Sequence, residues 1–487
     1  MLDALKRLTK HSAIYGLGSL FQSLVGFILI PVYTRYLAPE SYGRLEILNT
    51  ILLILTMILS FGFASAILKV YERDCPTEKD KKSALGTMYL FVMPIATAAT
   101  LLCAIFAKFL SPALLGEARY TIYIYIILAT NLLAVFLTLS FALLRTKEKS
   151  RIFTFFSFSK FIFVLALNLY FVIKMRWGVF GILVGNLSAQ IIIGLFFIPV
   201  ILREIKLVFS KFLFSKLWLF GSAIIPASLA SWIMDLADRY FLKHYTSMTE
   251  VGLYSLGYKI GMLVSMLLVI PFQLAWPTIS FSAAAKNNVN EIYAKVLTYF
   301  TLAGSFFALF LSVFAKPIVK IFASPEYFLA YKIIPLIAFS YVLYGIHFVL
   351  VPGLHLREKS KYYPVIIGIP AAANLILNYL IIPKYGMIGA ALTTFISFIF
   401  VVFLAYFITS RFYKVIYEWG RIIKIILVVC LILFLNYINK SDQLTFLILY
   451  NLLIFIAFPV ILHCFRFFEK KEIAKIKKIL GRLKWKM

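Results

Sequence analysis

The sequence is short of charge: 14% of its 487 residues are Asp, Glu, Lys or Arg, against 62% hydrophobic, and the mean hydropathy is +0.94. A water-soluble domain is excluded, because so few polar side chains cannot cover a folded surface of this size. Acid is scarcer still, 20 Asp and Glu against 49 Lys and Arg. The four cysteines, Cys75, Cys103, Cys430 and Cys464, have no paired spacing, which argues against a disulfide framework or a thiolate metal site. There is no Gly-x-x-x-x-Gly-Lys loop to cradle phosphates, so the chain is not expected to hydrolyse ATP, and there is no His-Glu-x-x-His. No cofactor is called for and no nucleophile has a base beside it. Long loops are missing too. The longest connections, about 277–296 and 316–332, leave no room for the extramembrane part that a membrane glycosyltransferase or polymerase needs.

What the chain has is apolar runs about 20 residues long, the length of a helix across a bilayer. Fourteen can be marked: 12–34, 46–70, 85–109, 120–143, 152–173, 178–201, 217–241, 252–276, 297–315, 333–353, 363–382, 386–408, 421–439 and 445–465. The alternating ten-residue pattern of a barrel is absent. The expected fold is therefore an all-α polytopic membrane protein, its first span a retained signal anchor without a small-residue cleavage pattern. With the N-terminus inside, cytoplasmic segments hold 33 basic residues and the opposite loops 13, so both termini are expected in the cytoplasm. The net charge of +29 then faces anionic lipid head groups rather than nucleic acid.

The chain repeats itself. Leu144-Arg145-Thr146-Lys147-Glu148-Lys149-Ser150-Arg151 is answered by Leu354-His355-Leu356-Arg357-Glu358-Lys359-Ser360-Lys361, 210 residues on. Asn168 is answered by Asn378, Gly178 by Gly386, and the turn ending in Gly43 by the one ending in Gly252. Two six-span halves, 1–208 and 209–415, are expected to run in the same direction, as in transporters built from parallel repeats. Two more spans occupy 416–465. A basic segment, 466–487, carries Ile473, Ile476, Ile479, Leu480 and Leu483 on one helical face, suited to lying on the inner membrane surface.

Span 1 carries a polar stripe, Ser12, Tyr15, Gly16, Ser19, Gln22, Ser23 and Gly26, at helical spacing. The 209-residue offset carries Ser19, Gln22 and Gly26 onto Ser228, Ser231 and Asp235 in span 7, where the stripe continues to Asp238. Close packing asks only for small residues, so these faces are read as lining a hydrated cavity. Ionisable groups within spans cost about 2.5–3.5 kcal/mol on insertion scales and are functional candidates. Asp235, Asp238 and Arg239 stand at i, i+3 and i+4, where they either neutralise one another or serve ion coupling. Lys160 in span 5 and Lys259 in span 8 face the cavity or snorkel to an interface. His347 reads as a hydrogen-bonded packing residue, and Pro94, Pro226, Pro271 and Pro370 as points where spans bend.

Three segments resemble a known family. They are Leu37-Ala38-Pro39-Glu40-Ser41-Tyr42-Gly43; Asp238-Arg239 with Glu250-Val251-Gly252-Leu253-Tyr254-Ser255; and Asn374-Leu375-Ile376-Leu377-Asn378 with Ile382-Pro383-Lys384-Tyr385-Gly386-Met387-Ile388-Gly389-Ala390-Ala391. The resemblance is to the polysaccharide transporters of the multidrug/oligosaccharidyl-lipid/polysaccharide exporter superfamily, which include O-antigen and teichoic acid flippases. It implies two six-helix lobes alternating around a V-shaped cavity, and a substrate of polyprenyl tail, pyrophosphate and oligosaccharide. The expected protein is a non-enzymatic flippase of the bacterial cytoplasmic membrane, monomeric, with membrane lipids and glycan assembly machinery as its neighbours. In that reading Lys160, Lys259, Arg239, Gln22, Ser19, Ser228 and Ser231 serve the substrate, and Asp235 and Asp238 the coupling ion. The competing readings are an ion-coupled multidrug exporter of the same superfamily and a membrane glycosyltransferase or polymerase.

Overall fold

A long apolar run in lipid can satisfy its backbone within one segment only as an α-helix. The computed structural model of the protein describes residues 26–284, 289–439, 441, 443–469 and 472. Among these there is no strand. In chain order the helices are α1 Ile30–Tyr36, α2 Pro39–Leu59, α3 Phe63–Arg73, α4 Glu78–Ile105, α5 Ala107–Leu115, α6 Thr121–Thr146, α7 Ser150–Leu169, α8 Gly178–Glu204, α9 Lys211–Leu236 and α10 Asp238–Tyr245. They continue as α11 Met248–Gly261, α12 Ile270–Ala284, α13 Val289–Val313, α14 Ala315–Phe322, α15 Ile334–Leu350, α16 Pro352–Leu356, α17 Tyr363–Phe412, α18 Trp419–Ile438 and α19 Leu444–Cys464.

Twelve helical stretches among the described residues are long and apolar enough to cross a membrane. One is α17, 50 residues long, which breaks at Gly386 (φ 52°, ψ −133°); its two arms are the expected spans 363–382 and 386–408. Most of the expected span 12–34 lies outside the described residues, including Ser12, Tyr15, Gly16, Ser19, Gln22 and Ser23, and so does the tail beyond Glu469 except Glu472. The connection expected at 316–332 is helical: α14 is followed by a 3₁₀ stretch, Pro325–Lys332. Apolar Pro317 and Val319 are buried there, while Lys316 and Lys320 lie over the rings of Tyr331 and Phe328. A π-helical turn, Ser265–Val269, precedes Pro271, whose ring nitrogen cannot continue the hydrogen-bond ladder.

The described residues form two compact units. One runs to Leu256 and adds Phe322–Tyr327 and Ile367–Ala390; the other holds Gly257–Ile321, Phe328–Ile366 and the residues from Ala391 onward. In the first, Phe63 and Ile67 of α3, Leu85 and Met88 of α4, Leu139 and Leu143 of α6 and Phe197 of α8 share a core. Phe197 stacks on Phe156 of α7, ring centres 4.0 Å apart. In the second, Leu309 and Val313 of α13, Ile425 and Ile432 of α18 and Phe458 of α19 do the same. Ile105 and Phe109, by contrast, remain 72% and 76% exposed, as lipid-facing side chains can.

Where lipid gives no apolar driving force between helices, side-chain hydrogen bonds and close packing hold them. Asn131 donates to Thr56 Oγ1 at 2.8 Å, and Tyr89 to Ser140 Oγ at 3.1 Å. Asn168, fully buried, accepts from the Tyr33 hydroxyl at 3.0 Å and donates to Asn186 Oδ1 at 3.0 Å. Local conformation also recurs at matched positions. Glu148 (φ 53°) and Glu358 (φ 55°) are both left-handed, a conformation costing a non-glycine residue roughly 1–2 kcal/mol. Each ends a helix in the same way, Lys149 N–H bonding to Leu144 O at 2.9 Å and Lys359 N–H to Leu354 O at 2.8 Å. Gly178 and Gly386, too, are both left-handed.

Replacing Asn168 by Leu removes the acceptor of Tyr33 and a donor to Asn186, and should cost about 1–3 kcal/mol of stability. A thermal-unfolding double-mutant cycle in detergent with Tyr33→Phe checks it: the double variant should lose less than the sum of the two single variants.

Candidate functional site

The three sequence segments that carry the resemblance meet in the first unit. Gly43 in the first turn of α2 faces the first turn of α11, so closely that a Cβ there would overlap the Met248 carbonyl oxygen. Gly252 returns the contact: its Cβ would overlap the Pro39 carbonyl. Pro39 and Met248, like Gly43 and Gly252, are separated by the same 209 residues, so the crossing is reciprocal, as between two subunits related by a two-fold axis. The third segment joins through Glu250, whose Oε2 accepts from Met387 N–H at 2.8 Å. That amide opens the second arm of α17 just after Gly386, and the carboxylate takes the place of the carbonyl missing from the broken ladder.

Next to the crossing lies a group of buried polar side chains. Asp238 is 1% exposed and Arg239 3%. The turn tightens at Ala237, whose carbonyl accepts from Tyr240 N–H at 3.0 Å, three residues on. Arg239 Nη1 then donates to the Asp235 backbone carbonyl at 2.9 Å and to Asp238 Oδ1 at 3.1 Å. The Tyr254 hydroxyl of α11 donates to Asp238 Oδ2, and its ring lies 5.5 Å from the Arg239 guanidinium carbon. From α2, Tyr42 is hydrogen-bonded to the buried Glu46. Tyr327 packs edge-on against Tyr42 with ring centres 5.9 Å apart, and its hydroxyl donates to Leu37 O at 3.0 Å. Two acids and one guanidinium are thus enclosed by three tyrosines, joining α2, α10, α11 and the 3₁₀ stretch. Buried ions persist only when paired and hydrogen-bonded, and removing one partner costs about 3–5 kcal/mol.

The remaining sequence-predicted residues are placed as follows. Asp235, Ser228 and Ser231 are half-buried on α9. Lys160 is half-buried on α7 and has no hydrogen bond or ion pair among the described residues, whereas Lys259 on α11 is in contact with a neighbouring group. Ser19 and Gln22 lie outside the described residues. His347 is fully buried, its Nδ1 against the Tyr344 carbonyl. Cys75, in the turn after α3, has its thiol pushed up to about 11 by burial and by the carboxylates of Asp80 and Asp74, so at neutral pH it is protonated and a poor nucleophile. Sequence reasoning missed Tyr42, Glu46, Tyr254 and Tyr327, although the matched Gly43 and Gly252 signalled where to look.

The sequence profile of a family described as "Polysaccharide biosynthesis protein" matches residues 8–282. The chain belongs to this family. A second profile, MatE, matches residues 223–380. Among curated proteins, an uncharacterized membrane protein of Methanocaldococcus jannaschii is 26% identical over 205 residues, 40% of each chain. The Lsg locus putative protein 1 of Haemophilus influenzae is 24% identical over 269 residues, 53% of this chain and 62% of that one. The chain thus spans about two fifths to three fifths of the curated relatives it matches. Among solved structures, the lipid II flippase MurJ in an inward closed conformation has a TM-score of 0.73 at 17% identity, covering 93% of this chain and 99% of that one. A multidrug resistance MATE family transporter in an inward-facing conformation has a TM-score of 0.66 at 15% identity, covering 81% and 94%. At these identities the likeness is one of fold. The chain thus shares a fold with both proteins.

Gly43→Ala and Gly252→Ala each force a Cβ into a backbone carbonyl and should destabilise by about 1–3 kcal/mol, read as a lowered unfolding midpoint in detergent. Asp238→Asn removes a counter-charge from Arg239 and should cost about 3–5 kcal/mol, while Asp238→Leu combined with Arg239→Met should recover most of that loss in the same measurement.

Proposed function

We propose that the protein is a flippase that carries polyprenyl-pyrophosphate-linked oligosaccharide from the inner to the outer leaflet of the bacterial cytoplasmic membrane, by alternating access, for surface polysaccharide synthesis. Membership of the polysaccharide biosynthesis family, together with a fold shared over 93% of the chain with a lipid II flippase, carries this reading. The chemistry agrees with it. A sugar chain needs a wet path lined by hydroxyls, a pyrophosphate needs a cation, and a polyprenyl tail can stay in lipid.

In this reading the protein is a transporter rather than an enzyme, built from parallel halves 1–208 and 209–415, followed by two further spans and a cytoplasmic tail. Recurrence of the same helix ending at Glu148 and Glu358 supports the repeat. The reciprocal Gly43–Gly252 contact, where glycine meets backbone, is the closure that parts on the outward side. Lys160, an intramembrane cation without an ion pair among the described residues, contacts the pyrophosphate, with Lys259, Ser228 and Ser231 along the path. Of the two acids, half-buried Asp235 serves the coupling ion, while Asp238, enclosed with Arg239 and Tyr254, holds the fold. One charge crossing a 100 mV potential supplies about 2.3 kcal/mol, enough to bias a two-state equilibrium.

A second reading, an ion-coupled multidrug exporter of the same superfamily, is favoured by the MatE match over residues 223–380. Vesicles reconstituted with the protein separate the two: lipid-linked oligosaccharide should be flipped, and cationic dyes should not accumulate. Lys160→Gln should weaken substrate binding about ten- to a hundredfold while the protein stays membrane-inserted. Asp235→Asn should abolish the response to imposed pH or Na⁺ gradients. Net accumulation that persists with both gradients and the potential collapsed would remove ion coupling from the account.

A further inference from the structure

Beyond the buried charge group, the first unit has an open cavity of about 600 Å³, lined by Tyr245 at the end of α10 and by Tyr379, Pro383, Lys384 and Tyr385 at the end of the first arm of α17. Its size lies within the range of small-molecule sites, about 300–1,000 Å³. Three of its lining residues are tyrosines and one is a lysine. Tyr245 and Tyr379 meet edge-on with ring centres 6.2 Å apart, while Tyr379 and Tyr385 remain 61% and 64% exposed. Lys384 is exposed and has no hydrogen bond or ion pair among the described residues. The floor is held in place, because Gly386 follows directly and Glu250 pins the amide after it.

Exposed tyrosine rings on a concave wall offer flat faces to the C–H faces of pyranose sugars, and phenolic hydroxyls to their hydroxyl groups. A lysine without a counter-ion adds a site for a carboxylate or phosphate. We infer that this cavity is a recognition subsite for a negatively charged oligosaccharide. The inference takes its ligand class from the flippase reading. It places the subsite on the face that the distribution of basic residues assigns to the outside, where the glycan leaves. A belt of interfacial tyrosines and lysines bound to lipid phosphates is the alternative that the test must separate.

The test uses the full chain in phosphatidylcholine nanodiscs, with binding of tetragalacturonate followed by saturation-transfer NMR and maltotetraose as the neutral control. Tetragalacturonate should bind and maltotetraose bind more weakly. Lys384→Gln should weaken tetragalacturonate about tenfold. Tyr379→Ala with Tyr385→Ala should abolish its binding, and Tyr379→Phe, which keeps the ring, should retain it. An unchanged unfolding midpoint shows that these exposed substitutions leave the fold intact. No tetragalacturonate binding by the unsubstituted protein, or binding indifferent to every variant, overturns the inference. So does displacement of tetragalacturonate by inorganic phosphate or by phosphatidylglycerol in the disc, which identifies a phosphate or lipid head-group site. Absence of oligosaccharide flipping in vesicles alongside variant-sensitive tetragalacturonate binding would defeat the flippase reading and leave the glycan subsite standing. Flipping with variant-insensitive binding would do the reverse.

Discussion

Water is absent from the middle of a bilayer, so each backbone N–H and C=O there must find its partner within the protein. That constraint makes every span a helix, and it makes any break in a span expensive. α17 breaks at Gly386, where the left-handed backbone interrupts the ladder. Glu250 supplies the missing acceptor from another helix. A break that would be prohibitive in lipid thus becomes a joint between α11 and the second arm of α17, and it sits beside the place where α2 and α11 cross. The fold's weak point in backbone terms is therefore also where its elements are fastened together.

The same economy governs charge. Asp238 and Arg239 are among the most deeply buried ionisable residues of the chain, and each has partners: the guanidinium bonds to a carboxylate and a backbone carbonyl, and the carboxylate to a tyrosine hydroxyl. Such a group gains little over an apolar core of the same shape, but it is intolerant of losing any one member. Lys160 is the counter-example, a cation on a transmembrane helix to which the described structure gives no counter-charge. The contrast is between a satisfied ion pair and a cation without a counter-charge among the described residues.

Much of this was legible in the chain. Spans could be marked because a bilayer demands about 20 apolar residues, and twelve stretches of the described structure meet that demand. Asp238 and Arg239 stand out because charge is rare in such a sequence. The aromatic half of the site was not. Tyr42 and Tyr254 stand in segments that carry the family resemblance, but with Tyr327 they are three of 29 tyrosines, and a motif does not tell which buried acid or cation a tyrosine meets. Residues 316–332 connect two spans as expected, but their helical structure is not apparent from the sequence, because lysines punctuate an amphipathic helix of only eight residues.

Composition by itself determined that this protein lives in lipid, and the apolar runs determined its helical character, because both follow from local chemistry along the chain. The sequence also marked Gly43 and Gly252 as equivalents. Only the tertiary structure decided that these equivalents touch each other, that Glu250 serves a helix more than 130 residues away, and that Asp238 is enclosed while Asp235 stays half-buried. Periodicity places residues on a helix face. What that face meets depends on how separate helices pack, and packing is set by contacts between residues distant in sequence, which no local pattern records.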